Sequence, residues 1–142
     1  MKKTVKDFMI QDPVCIENEA SINSLNRLIN VKGYSHIPVL EHGELVGIVS
    51  KTDLMSRFLM MLEQTSGKTY TNLVMKNLKV KELMTPNPVV VKETDSLDDI
   101  TELLMGKEFH SLVVVNDHGK VKGIVTSYDL LSEFYQNSVL FK

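Results

Sequence analysis

Two short stretches of the chain place a glycine, a hydroxyl side chain and a carboxylate at the same spacing. Residues 47–53 read Gly-Ile-Val-Ser-Lys-Thr-Asp, and residues 123–129 read Gly-Ile-Val-Thr-Ser-Tyr-Asp. We name them the copy-one motif and the copy-two motif. Each follows an apolar run and precedes a predicted helix, whose N-terminus offers backbone N–H donors to an anion such as a phosphate. The aspartate could accept both hydroxyls of a ribose, and the glycine would permit close approach.

The same spacing also has a purely structural explanation. Ser50-x-x-Asp53 and Thr126-x-x-Asp129 are capping boxes, in which the hydroxyl and the acid satisfy the first N–H groups of a helix. One such box alone would indicate nothing more. Because the whole string recurs at matching places in both halves of the chain, we favour a binding role in addition to capping.

The motifs belong to an internal repeat that covers most of the 142 residues. Residues 5–58 and 80–134 share one pattern, in which Pro13 matches Pro88 and Ser21 matches Ser96, until an extra residue, Asp117, shifts the offset by one. Two copies that cannot each bury their own faces predict one paired unit. We expect a first repeat over residues 1–62, a helical connector over 63–79 and a second repeat over 80–142. The repeats should pack with pseudo-twofold symmetry and form equivalent clefts between them.

Each copy predicts the same order of elements. A proline turn (residues 9–13 and 84–88) leads into a short extended run, then a helix that Ser21 caps in the first copy and that a capping box at Ser96 starts in the second. The first of these helices should end near Gly33, which can serve as its C-cap. Each helix has apolar residues along one face, namely Ile22, Leu25, Leu28 and Ile29 in the first copy and Leu97, Ile100, Leu103 and Leu104 in the second. Two strands joined by a hairpin turn follow, at 35–40 and 45–49 and again at 111–115 and 121–125. A second helix begins after Ser50 and after Thr126. The order of strand, helix, strand, strand, helix indicates the α/β class with small mixed sheets.

Composition narrows the function classes. The chain is 43% hydrophobic and 24% charged with a net charge of −2, which is typical of a soluble globular protein and predicts neither nucleic-acid nor membrane partners. Its apolar runs are too short for a membrane span, and the N-terminus lacks the apolar stretch of a secretory signal, so we expect a cytoplasmic location. Cys15 is the single cysteine, which excludes an internal disulfide and predicts a buried, inert thiol.

No pattern in the chain indicates catalysis. The phosphate-loop, nucleophile-elbow and zinc-protease motifs are missing from the sequence, and no nucleophile stands beside a credible base. His42 and His118 lie in turns beside glycine, where solvated residues are more common than metal ligands. We therefore predict no enzyme activity, no metal site and no required cofactor.

The paired motifs resemble the ribose-phosphate signature of cystathionine beta-synthase (CBS) domains. The two proline turns, Asp-Phe-Met-Ile-Gln-Asp-Pro and Glu-Leu-Met-Thr-Pro-Asn-Pro, and the strand Ser-His-Ile-Pro-Val-Leu are similar to other parts of that family's pattern. The resemblance implies a tandem CBS pair, or Bateman module, that binds adenosine-containing ligands in clefts between the copies. It also implies that two such modules pair, so we expect a homodimer.

The resemblance assigns roles to named residues. Asp53 and Asp129 would hold the ribose, and Ser50 and Thr126 would reach ribose or phosphate. Ile48 and Ile124 would line the adenine, the backbone around Cys15 and Val90 would read its edge, and Thr85 would lie at the cleft mouth. Gly47 and Gly123 are also counted among the nucleotide-binding positions, because a glycine there permits close approach. Many relatives carry arginine before the motif aspartate, where this chain has Thr52 and Tyr128. Phosphate contacts would then depend on Lys32, His36, Lys51, Lys107 or His110.

Three functions remain open at this point. The first is a sensor for AMP, ADP or ATP that regulates an unknown effector protein, with S-adenosylmethionine or cyclic di-AMP as further ligands and AMP or ADP favoured over ATP. The second is a ligand-free dimerisation or interaction scaffold, and the third is a small enzyme. The paired aspartates favour the sensor. For the dimer, we predict apolar stripes on the helices at 52–64 (Leu54, Met55, Phe58, Leu62) and 127–136 (Leu130, Leu131, Phe134, Tyr135).

Overall fold

The computed structural model describes residues 3–64, 76–106 and 111–137. These residues form eight described strands and four described helices longer than a single turn. The strands are β1 (Ile10–Gln11), β2 (Ile16–Glu17), β3 (His36–Glu41), β4 (Glu44–Ser50), β5 (Thr85–Pro86), β6 (Val90–Val91), β7 (Ser111–Val115) and β8 (Val121–Thr126). The helices are α1 (Ile22–Asn26, continued by a π-helical turn at Arg27–Val31), α2 (Lys51–Gln64), α3 (Leu97–Gly106) and α4 (Ser127–Asn137). The predicted α/β class and the order of elements are confirmed.

The chain divides into two compact units, and their boundaries differ from the order of the repeats along the sequence. Unit 1 comprises Met1–Pro13 and Val89–Lys142, whereas unit 2 comprises Val14–Pro88. The sheet of unit 1 runs β1-β8-β7-β6 and that of unit 2 runs β2-β3-β4-β5. Each proline turn therefore contributes a short strand to the sheet of the other copy. The sequence predicted turns at these places and no strands. Most of the predicted connector lies outside the described residues.

Local chemistry accounts for where the chain crosses from one unit to the other. Asp12 and Asn87 adopt positive φ angles of 46° and 52°, which short polar side chains tolerate, and a proline follows each of them. The N–H of Asp12 donates to the carbonyl of Lys122 at 3.0 Å, and this bond extends the pairing of β1 with β8. Upstream, the completely buried Val5 anchors this segment in the core of unit 1. Val80 does the same in unit 2.

Each unit has its own core between its helices and one face of its sheet. In unit 2, Ile22, Leu25 and Ile29 of the first helical segment pack on the inward residues of β3 and β4. In unit 1, Ile100 and Leu104 of α3 occupy the equivalent place against β7 and β8. The apolar stripes predicted for these helices are confirmed.

The ends of the first helices are partly as predicted. Ser21 caps α1, since its Oγ accepts from the N–H of Ser24 at 3.1 Å, and Gly33 ends the helical segment with a φ of 85°. In α3 the Oγ of Ser96 accepts from the N–H of Asp99 at 3.2 Å, which is the hydroxyl half of the predicted box. The π-helical turn that lengthens α1 was not predicted.

The predicted stripes on the second helices need correction. Leu54 and Leu130 are buried in the cores of their own units, and Phe58 packs partly against the core of unit 2. The large side chains that these helices expose are Met55, Leu59, Met60 and Leu62 on α2 and Tyr128, Leu131, Phe134 and Tyr135 on α4. Both helices therefore expose an apolar face, as predicted. Leu54 and Leu130, the first residues of the two predicted stripes, do not belong to these faces because they are buried. In the parts of the chain that the structure describes, no helix is both long and apolar enough to cross a membrane.

Candidate functional site

The copy-one motif joins the end of β4 to the start of α2. The N–H of Ser50 donates to Oδ2 of Asp53 at 2.8 Å, and the N–H of Asp53 donates to Oγ of Ser50 at 3.1 Å. This reciprocal pair is the predicted capping box. Within the described residues, no protein group donates to Oδ1 of Asp53. The cap therefore uses one carboxylate oxygen and leaves the other available to a ligand.

The copy-two motif repeats this geometry between β8 and α4, with one difference. The N–H of Thr126 donates to Oδ2 of Asp129 at 2.9 Å, and the N–H of Asp129 donates back to Oγ1 at 3.1 Å. In addition, the Thr126 hydroxyl donates its own proton to Oδ2 at 2.9 Å. Oδ1 of Asp129 likewise accepts from no group in the described part of the chain.

One face of the sheet in unit 2 gathers most residues predicted around the copy-one motif. Directly opposed residues of antiparallel strands point to the same face. His36 is paired with Ser50, Ile48 with Pro38 on one side, and Ile48 with Thr85 on the other. This face lies opposite the core residues Val39 and Val49. Cys15 directly precedes Ile16, the partner of Val39, so alternation along the strand places Cys15 on the side of Pro38.

Unit 1 has an equivalent face, and one of its residues was not predicted. Ser111 is paired with Thr126 and Val113 with Ile124, while Val90 lies beside Val113 on the next strand. On the other side of Ile124 stands Ile10, contributed by the first proline turn. Ile10 is the repeat counterpart of Thr85, 75 residues earlier, so the offset alone contained the signal that would have identified it.

The glycines of both motifs face protein atoms. A Cβ built on Gly47 would lie 2.5 Å from Sδ of Met84 and 3.0 Å from the carbonyl oxygen of Thr85. A Cβ on Gly123 would meet Met9 at 2.5 Å and the carbonyl of Ile10 at 3.0 Å. In both units the methionine and the strand of a proline turn fill the space that a side chain would need. Packing against the strand contributed by the proline turn, β5 in unit 2 and β1 in unit 1, is therefore sufficient to require glycine at both positions. The approach of a ligand to these glycines stays a prediction.

The remaining candidates differ in their surroundings. Oγ of Ser35 lies 3.1 Å from Nδ1 of His36, which is half-buried, whereas Lys32 and Lys51 are exposed. Lys107 and His110 lie outside the described residues. Cys15 is half-buried, where we expected full burial, and that burial raises the pKa of its thiol.

The other histidine and metal predictions can be compared with the described residues only. His42 and His118 are exposed in their hairpin turns, as predicted. Across residues 3–64, 76–106 and 111–137, no three histidine, cysteine or acidic side chains are grouped as they would be around a metal ion.

Known proteins resemble the chain along most of its length. The sequence model of the CBS domain family matches it twice, over residues 5–59 and 80–136. The CBS domain-containing protein CBSX2 of Arabidopsis thaliana is 31% identical over 147 residues, which cover 87% of this chain and 60% of that protein. An uncharacterized protein of Methanocaldococcus jannaschii, MJ1225, is 26% identical over 134 residues, or 93% of this chain and 47% of that protein. The chain thus spans less than two thirds of these curated relatives.

Solved structures share the fold. The crystal structure of CBSX2 in complex with AMP has a TM-score of 0.74 at 30% identity and covers 94% of this chain and 97% of that chain. The CBS domain pair of MJ0100, crystallised with 5′-methylthioadenosine and S-adenosyl-L-methionine, has a TM-score of 0.76 at 24% identity, with coverage of 97% and 100%. Since both copies match the family model and both units have its fold, the chain belongs to the CBS domain family as a tandem CBS pair.

Proposed function

We propose that this chain is a regulatory module that binds an adenosine-containing ligand through its two motifs and acts as a sensor for an effector protein. The observation that carries the proposal is the duplicated capping box with one carboxylate oxygen left over. Asp53 and Asp129 each use Oδ2 to cap a helix, and Oδ1 accepts from no group in the described part of the chain. The complexes of CBSX2 with AMP and of MJ0100 with adenosyl compounds support the same ligand class.

The chemistry of a ribose suits such a carboxylate. A ribose presents two neighbouring hydroxyl donors, and an ionised carboxylate accepts hydrogen bonds only. Hydrogen bonds to an ionised group are stronger than those between neutral groups. The capping bond fixes the carboxylate before the ligand arrives, so binding orders no additional side chain there.

The neighbouring sheet face suits the base. Pro38 and Ile48 stand side by side in unit 2, and Val113 and Ile124 do so in unit 1. An apolar surface of this kind can cover the flat face of adenine, while the backbone around Cys15 and Val90 offers polar groups to its edge. Small-molecule sites combine apolar walls with a few placed polar groups in this way.

We further propose that the module is not an enzyme, requires no cofactor and forms a homodimer. The exposed apolar residues of α2 and α4, including Met55, Leu59 and Leu131, support the dimer, because monomeric proteins rarely expose extended apolar patches. A groove of about 440 Å³ between α1 and α2, lined on one side by Asn23, Asn26 and Asn30, continues the α2 surface. A second copy is the occupant that we propose for these faces.

Thermal denaturation in the presence of a ligand panel tests the proposed function. The panel is AMP, ADP, ATP, S-adenosylmethionine and cyclic di-AMP, with GMP as the control for recognition of the base. A ligand held at about 100 times its dissociation constant should add roughly 2.7 kcal/mol of stability. That corresponds to an increase of roughly 5–11 °C in the melting temperature. If no adenosine compound raises the melting temperature more than GMP does, the sensor function is wrong and the scaffold function takes its place.

A further inference from the structure

Residues 10–15 contribute to the candidate sheet faces of both units. We name these two faces the ligand faces and residues 10–15 the first crossing segment. The segment begins in unit 1 with Ile10, which is paired with Ile124 of the copy-two motif. It leaves that unit after Pro13 and ends with Cys15, which alternation along the strand places on the ligand face of unit 2. One end of the segment therefore lies on each ligand face.

Residues 85–90 form a second crossing segment that runs in the opposite direction. Thr85 is paired with Ile48 of the copy-one motif, on the ligand face of unit 2. Five residues later, Val90 lies beside Val113 on the ligand face of unit 1. Each ligand face thus receives one residue from the first crossing segment and one from the second.

The backbone of both crossing segments is restricted between their ends. Asp12 and Asn87 have φ angles of 46° and 52°, in the small left-handed region that is open to residues with a side chain. A proline follows each of them, and its ring fixes its own φ angle and restricts the residue before it. The N–H of Asp12 donates to the carbonyl of Lys122 at 3.0 Å. The N–H of Asn87 donates to the carbonyl of Val46 at 3.3 Å. Because few torsions can absorb a displacement, the position of one end constrains the other.

The ends of the crossing segments have little secondary structure to hold them. The strands β1, β2, β5 and β6, which contain or adjoin these ends, have two residues each. Ile10 is 49% exposed and Val90 is 47% exposed, and Thr85 is exposed as well. A ligand that packs on either face would remove such apolar surface from water and stabilise the position of the segment end.

Resting on the proposed function, we infer that the crossing segments couple the two ligand faces, so that AMP bound at one motif raises the affinity of the other motif for AMP. A ligand favours the conformation that it binds more tightly. Both ligands favour the same arrangement of the segments, in which one end of each segment lies on each face. Each ligand therefore assists the other, and the effect is equal in both directions. The chain responds to AMP over a narrower range of concentration than two independent positions would.

Methyl NMR of the chain labelled with ¹³C-methyl methionine can follow the two motifs separately. Sδ of Met84 lies against Gly47 of the copy-one motif, and Sδ of Met9 lies against Gly123 of the copy-two motif. The Met84 methyl signal therefore reports on the copy-one motif and the Met9 methyl signal on the copy-two motif.

Titration of AMP into the wild type, Asp53→Asn and Asp129→Asn measures the coupling. Each variant keeps one motif intact and gives the dissociation constant of that motif alone. The wild-type curves are then fitted to two positions with these constants and one coupling factor. We expect a factor of about five or more, the lower end of typical couplings between sites.

The variant that tests the route of coupling is Asp12→Gly combined with Asn87→Gly. Glycine adopts positive φ angles readily and other conformations as well, so the segments keep their path and lose their stiffness. The coupling factor should fall to within about twofold of one, while the constant of each motif alone stays within about twofold. His42→Gly is the matched control, because His42 has a φ of 51° in a hairpin turn outside both crossing segments. It should keep the coupling of the wild type. Asp12→Gly and Asn87→Gly alone should each lower the factor, which keeps the test valid if the double variant melts early.

The outcomes separate this inference from the proposed function. A wild-type coupling factor of one or below, or binding of AMP at one motif only, overturns the coupling and leaves adenosine recognition intact. The same coupling in the glycine variants as in the wild type overturns the role of the crossing segments. Failure of the wild type to bind AMP at either motif refutes the proposed function itself.

Discussion

Replacing Gly47 with alanine tests whether the packing of β5 against β4 requires a glycine in the copy-one motif. The added methyl group would lie 2.5 Å from Sδ of Met84 and 3.0 Å from the carbonyl oxygen of Thr85. The thioether can rotate away, but the carbonyl belongs to β5, whose register places Thr85 opposite Ile48 and Pro86 opposite Gly47. Relief of the second contact therefore requires β5 to shift relative to β4.

The expected cost combines two opposing terms. Overpacking by one methyl group in a well-packed region costs about 1–3 kcal/mol. Alanine also lowers the conformational entropy of the unfolded chain relative to glycine, and this stabilises the folded state by about 0.4–1 kcal/mol. We therefore expect a net destabilisation of about 1–2 kcal/mol and a melting temperature lower by roughly 3–8 °C. Gly123→Ala should behave in the same way, because Met9 and the carbonyl of Ile10 take up equivalent positions.

A double-mutant cycle between Gly47→Ala and Met84→Ala identifies the contact. Chemical denaturation of the four proteins should show that the double variant is more stable than the sum of the single effects predicts, by at least about 0.5 kcal/mol. Gly33→Ala is the contrasting control. Its φ of 85° opposes a side chain, but no atom lies within 4 Å of the new Cβ, so it should destabilise without coupling to Met84. Additive effects of Gly47→Ala and Met84→Ala, or an unaltered melting temperature in Gly47→Ala, would refute the packing argument.

Three further properties can be measured independently. Light scattering at micromolar concentration should give the mass of a dimer, and Leu131→Glu, at a position 68% exposed, should give a monomer; a monomeric wild type would contradict the proposed assembly. Ser21→Ala should cost about 1 kcal/mol because it removes the acceptor of the Ser24 N–H, whereas Ser21→Asp should retain most of the stability; equal losses in both would exclude the cap as the cause. Cys15 should react with iodoacetamide at pH 8 more slowly than an unfolded-state thiol, because burial raises its pKa and lowers the thiolate fraction; equal rates with and without guanidinium chloride would contradict that protection.

The elements of each copy could be predicted because their signals are local. The capping residues, the apolar stripes and the glycine at the end of the first helix act within a few residues of sequence, and Ser21, Ile100 and Gly33 fulfil the roles expected of them. The capping boxes of both motifs could be predicted for the same reason. The internal repeat then predicted two units with the same order of elements, because one sequence pattern describes both copies.

The exchange of the first strands could not be predicted from local patterns. Residues 10–11 and 85–86 are short and contain proline or polar residues, so nothing in their composition indicates a strand. Their pairing depends on Val5 and Val80, which are buried in the unit that also contains the partner strand. The stripe on α2 was misplaced for a related reason. Periodicity identifies an apolar face, but tertiary packing decided that Leu54 turns to the core and Met55 to solvent.

Titration of AMP into the wild type, Asp53→Asn and Asp7→Asn is the most direct test of nucleotide binding through the motif carboxylates. Asparagine keeps one oxygen for the cap and replaces the other with an amide that cannot accept from a ribose hydroxyl. Asp7 is the matched control, because its Oδ2 accepts from the N–H of Thr4 at 2.9 Å in a capping box outside both motifs. We predict that Asp53→Asn lowers the affinity for AMP about tenfold or more and that Asp7→Asn leaves it unchanged. Equal affinities in all three proteins would contradict the assignment of Asp53 to the ribose and leave it only its capping role.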